Sequence, residues 1–127
     1  MAKFTVKEVE DAARLILLDT YEDAYRFEPK EVFQAMWDGL KHINNVRPES
    51  RYVNCLLVDL NFPTIPASFT DATLATFRAT EINMENRWRE AVVYYTVHRM
   101  YLKDDADTQN ANLAKQYLDM FNASVAS

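Results

Sequence analysis

The sequence predicts a mainly α-helical fold: an antiparallel bundle of about four helices, with a small extended or β-hairpin arm between helices two and three. Three observations carry this expectation. Glycine is almost absent, with Gly39 alone in 127 residues, where ordinary usage of about 7% would give roughly nine. Tight turns with positive φ are then scarce, which disfavours meandering β folds. Apolar residues recur at spacings of three and four in several windows. The stretch Arg87–Phe121 also holds two apolar patterns separated by a short acidic turn, the signature of a helical hairpin.

The first helix starts at Thr5. Thr5-Val6-Lys7-Glu8 fits a capping box, the Thr hydroxyl facing the N3 amide and Glu8 reaching back. Val6, Val9, Ala13, Ile16 and Leu17 form its apolar stripe. Lys7, Glu8, Asp11 and Arg14 read as a solvated face, and the helix frays near Asp19-Thr20. The second helix starts at Glu28-Pro29, proline suiting the first helical position. Phe33, Met36, Trp37, Leu40 and Ile43 share one face, and the helix ends near Val46, because Arg47 precedes Pro48. Gly39 inside it costs about 1 kcal/mol relative to Ala, which a close backbone contact would explain.

From about Pro48 to Ile82 the pattern changes. Tyr52–Val58 has strand-like content and Phe62-Pro63-Thr64-Ile65-Pro66 must be extended or turning. Thr73–Thr80 reads as a strand on its Thr and Phe content. Irregular insertions of this length tend to be functional arms. The third helix is expected from Met84 or Glu85 to Lys103. It is apolar nearly all round from Ala91 to Leu102, which demands burial on all sides. Asp105 or Asp107 caps a fourth helix whose face carries Ala114, Tyr117, Leu118, Phe121 and Val125. Residues 123–127 read as a flexible C-terminus of a single domain spanning 1–127.

Composition narrows the function. Hydrophobic residues make up 49% and charged residues 26%, with a formal charge of −5. That balance argues against gripping nucleic acid through its phosphates. No apolar run approaches the roughly 20 residues that span a bilayer, and the charged, amphipathic N-terminus does not read as a signal peptide. Cys55 has no partner within the chain and fits a small buried residue in a reducing compartment. His42 and His98 lack the Glu-x-x-His spacing of helical metal sites; His98 reads as a core histidine satisfied by a neighbouring helix. The acidic turn lacks the Gly and Glu of a calcium loop, Asn110 and Gln116 standing in their places. No nucleophile elbow or phosphate loop fits a single glycine. The expectation is a protein that is not an enzyme, with no cofactor and no metal.

Four features in one order resemble the head-to-tail adaptor (connector, or head-completion) proteins of tailed bacteriophages. They are the opening helix DAARLILLDT, the aromatic link Tyr25-Arg26-Phe27, the second helix EVFQAMWDGLKHINNVRPES, and the closing hairpin WREAVVYYTVHRMYLKDDADTQNANLAKQYLDMF. The phrase RMYLKDDADTQNANLAKQYLDMF is the most specific, and the likeness is weakest between about Leu56 and Ile82. The resemblance implies a structural virion protein at the head-to-tail interface, made in the host cytoplasm. Such adaptors form a homo-oligomeric ring, usually a dodecamer, under the portal protein. The ring extends the DNA channel and docks tail, nozzle or other neck proteins. Genomic DNA passes through without sequence-specific binding, and no membrane is involved. Negative charge repeated round the ring would keep DNA off its wall. The arm and C-terminal segment are the expected contact elements, with Phe62, Ile65, Phe69 and Phe77 as exposed interface candidates. The alternative is a small helical regulatory module that binds a protein partner as a dimer.

Overall fold

The computed structural model describes residues 3–19, 26–103 and 108–126. Its helices number five rather than four. Strand β1 (Lys3–Thr5) leads into α1 (Val6–Leu17), followed by α2 (Pro29–Val46). A 3-10 turn (Pro48–Arg51) precedes β2 (Tyr52–Val53) and β3 (Leu56–Leu57). Then come α3 (Asp71–Arg78), β4 (Glu81–Glu85), a 3-10 turn (Asn86–Trp88), α4 (Arg89–Lys103) and α5 (Thr108–Ala126).

The α1 start is the expected capping box: Thr5 accepts from the Glu8 amide while Glu8 accepts from the Thr5 amide. Leu18 closes the helix in the left-handed region, φ 57°, with its amide turned back to Arg14 and Leu15. Proline occupies the first position of α2, as its fixed φ and missing N–H favour. The face Phe33, Met36, Leu40 and Ile43 is fully buried.

The most apolar helix, α4, finds its cover within the chain. It packs against α5, α2 and α1, and Ala91, Val92, Val93, Tyr95, Thr96, Val97, His98 and Met100 are all buried. Only its ends, Arg89-Glu90 and Leu102-Lys103, are exposed. Its hydrophobicity therefore calls for no partner outside the chain. Phe121 and Val125 of α5 join the same core. The helix runs to Ala126 and Val125 is 2% exposed, so residues 123–126 continue α5. The buried Val125 side chain is what holds the last turn. The Asp105 or Asp107 cap lies outside the described residues.

Two further expectations are corrected. Thr73–Thr80 is largely helix: Thr70 and Thr73 form a reciprocal cap at the start of α3, a box built from two threonines. Its Thr content reads as cap chemistry once Thr70 is the N-cap. Met84 and Glu85 are strand, not helix. β4 pairs antiparallel with β1, setting Phe4 opposite Ile82 and Thr5 opposite Glu81, and Phe4, Ile82 and Met84 are buried. This small sheet fastens the N-terminus to the segment that enters α4.

Candidate protein interface

The strand-like stretch Tyr52–Val58 folds as a small β-hairpin. Tyr52 pairs with Leu57 and Val53 with Leu56, so the two-residue turn is Asn54-Cys55, at φ 52° and 67°. Two-residue hairpins favour positive φ at both central positions. Without glycine, Asn takes the first and Cys the second. Cys55 is exposed there rather than buried, because the turn turns its side chain away from the core that Val53 enters. Val53 is 4% exposed, whereas Leu56 is 70%, Leu57 58% and Tyr52 47% exposed. A broad groove beside the tip is lined by Glu49, Tyr52, Asn54, Cys55, Glu85 and Arg87.

The interface candidates named from the sequence come together, but facing inward. Phe77 is 5% exposed, and Phe62, Ile65 and Phe69 are half-buried against the core. Phe77 stacks on Phe33 of α2 at 4.4 Å between ring centroids. Phe69 meets both rings edge-on, at 5.6 Å from Phe33 and 5.4 Å from Phe77. Phe62 stacks on Trp37 at 5.4 Å and presents its edge to Phe77. The extended segment is too apolar to lie in water and folds its rings onto the open side of α2, so the expected exposure of these four residues is not what the chain adopts.

A buried charge network, missed in the sequence reading, joins α1 to both following segments. Arg14 is 2% exposed, not solvated. Its Nε donates to Glu10 at 2.9 Å and its Nη1 to Asp19 at 2.7 Å and the Phe27 carbonyl at 3.0 Å. Asp19 also accepts from the amides of Arg26 (2.7 Å) and Phe27 (3.1 Å), which fixes the chain as it enters α2. Glu10 takes a two-pronged bond from Arg78 of α3, at 2.6 and 3.0 Å. The available signal was Glu10 four residues before Arg14, a helical ion-pair spacing. The apolar stripe gave no hint that this pair turns inward.

Chemically active groupings are sparse. Among the described residues no group of three or more His, Cys, Asp or Glu side chains is placed to hold a metal ion, and no helix is long and apolar enough to cross a membrane. A groove of about 590 Å³ between α2 and α4 is lined by Lys30, Glu31, Gln34, Ala35, Arg99 and Met100, among others. Two of its cations are engaged: Arg99 donates to Asp38 at 2.9 Å and Lys103 pairs with Glu31. Burial works against the Arg99 charge, but bonds to Tyr95 and Asp38 outweigh it and raise its pKa. Compared with family models, curated proteins and solved structures, the chain matches none.

Proposed function

We propose that this protein is a structural assembly module of the phage head-to-tail adaptor type, a ring subunit that sits under a portal and docks tail or neck proteins. The observation that carries this reading is the hairpin tip. Tyr52, Leu56 and Leu57 stand exposed on a two-stranded hairpin whose Val53, beside the turn, is buried. Exposed apolar side chains gathered on one projection are what a protein contact uses. The order of helices and the closing hairpin phrase resemble adaptor proteins and add the ring geometry to that reading. The net charge of −5 suits a channel wall along which DNA slides.

The test is the double variant Leu56→Asp/Leu57→Asp. Both side chains are solvated, so folding stability should change by no more than about 0.5 kcal/mol. Entry into a portal-bound ring should be lost. Wild-type assembly by the variant would remove the tip from the contact. A second reading, a dimeric regulatory module, draws on Leu15 and Leu18, 65% and 87% exposed at the end of α1. It expects a dimer in sedimentation that Leu15→Asp/Leu18→Asp dissolves and that ignores portal.

A further inference from the structure

The segment between Asn61 and Thr80 is attached to the bundle in an unusual way. Main-chain bonds hold the chain on either side of it: the Val58 amide donates to the Arg51 carbonyl at 2.8 Å, before it, and the Val6 amide to the Thr80 carbonyl at 3.0 Å, at its end. Asn61 adds a side-chain clasp on the open edge of β4, donating to the Glu81 carbonyl at 2.6 Å and accepting from the Asn83 amide at 2.7 Å. Between these clasps, among the described residues, the backbone–backbone hydrogen bonds of residues 62–79 close turns within the segment or, from the Thr80 amide to the Phe77 carbonyl at 3.2 Å, its hinge, and none reaches the bundle.

What holds it is side chains alone. The Phe62, Phe69 and Phe77 rings lie on Phe33 and Trp37, and Arg78 grips the buried Glu10. Along α3 only Phe77 is buried, with Leu74 and Arg78 partly covered. The segment can therefore leave while every backbone bond of the bundle stays intact, which is the property of a unit that opens below the global unfolding energy.

We infer that residues 62–79 form a strap that opens as one unit from the α2 face, hinged at Asn61 and Thr80, with the Arg78–Glu10 pair as its catch. Opening uncovers Phe33 and Trp37 on α2 together with Phe62, Phe69 and Phe77 on the strap. It turns a closed aromatic cluster into an open apolar surface. The catch keeps that surface shut, because release strips the 1% exposed Glu10 of a charge-assisted partner. Opening is a property of the chain alone and does not rest on the adaptor reading.

The experiment follows native-state hydrogen exchange of the α3 amides and thiol labelling at Ile65→Cys, in a Cys55→Ser background of the full-length protein. The α3 amides should exchange well ahead of those in α4, and Ile65→Cys should label with the same opening constant. Arg78→Ala should accelerate both by about tenfold, the worth of a hydrogen bond to a charged group, and leave α4 unchanged. Arg78→Lys, which keeps a charge at Glu10, should restore part of the protection. Equal acceleration of α3 and α4, or no acceleration of either strap probe, would overturn the strap. So would an α3 that exchanges at unprotected rates in the wild type.

Discussion

Gly39 on α2 lies against the ring of Tyr95 on α4, so closely that a methyl group at Gly39 would sit 3.0 Å from Tyr95 Cδ1 and 3.2 Å from its Cβ. The contact answers why a lone glycine stands in mid-helix. Tyr95 has little room to retreat: it is 7% exposed and surrounded by His42, His98, Phe121 and the Arg99 guanidinium. Gly39→Ala gains about 1 kcal/mol of helix propensity and loses about 1–3 kcal/mol to overpacking. The expected outcome in urea melts is a net loss of about 1 kcal/mol. A stabilised variant would show that α2 and α4 move apart at small cost.

Arg14 neutralises two buried carboxylates at once. Removing it takes a cation from Asp19 and leaves Glu10 to Arg78, both carboxylates being 6% exposed or less in a low-dielectric site. Breaking a buried pair by deleting one partner costs about 3–5 kcal/mol. Arg14→Met, which keeps most of the stem, should lower the unfolding free energy by that amount. A loss under 1 kcal/mol would mean that the cluster is hydrated.

Alkaline titration has a specific expected shape. The Tyr94 phenol donates to Glu90, and this bond, with burial and the Glu90 charge, raises its pKa above the usual 10.0. Lys7 is raised above 10.5, chiefly by its bond to Asp11. In both cases the folded value exceeds the unfolded one. The stability each adds is therefore complete below the unfolded pKa and is lost as pH climbs through the folded value. Stability should fall above about pH 10 and not in the acid range on their account. Both groups face solvent, so the effect is small, within about 0.5 kcal/mol each. In ultraviolet difference titration, Glu90→Gln should bring one tyrosine transition of the seven to lower pH.

His98 joins α4 to α5 through Nδ1, 2.8 Å from the Ala114 carbonyl. A carbonyl only accepts, so Nδ1 carries the hydrogen and the neutral ring is the Nδ1–H tautomer. Long-range ¹H–¹⁵N correlation should show a protonated Nδ1 and a bare Nε2. His98→Ala should cost about 2 kcal/mol by losing this bond and leaving a cavity.

Much of the helical frame was legible because it is written in local signals: the Thr5 capping box, Pro29 at N1, and the Phe33-Met36-Leu40-Ile43 stripe. His98 read correctly as a core residue bonded to a neighbouring helix. The middle was less legible. Thr and Phe favour strands on average, but Thr70 and Thr73 act as caps and Phe77 as an anchor on α2, roles set by tertiary partners. The hairpin turn hid because Asn54-Cys55 lacks the glycine that marks such turns. Pattern alone also cannot tell which way an aromatic arm faces. Phe62, Ile65, Phe69 and Phe77 read as exposed on a contact arm, whereas they pack inward against the core. The surface left exposed, Tyr52, Leu56 and Leu57, rests on a register that only the turn defines.

The central claim is that this chain assembles as a ring on a portal. The most direct measurement is the native mass of the species formed when the purified protein is mixed with the portal ring that the proposal pairs it with. The account expects many copies bound per portal, in a number matching its rotational symmetry, and none bound by Leu56→Asp/Leu57→Asp. A wild-type protein that stays a monomer or a dimer beside unliganded portal would contradict it.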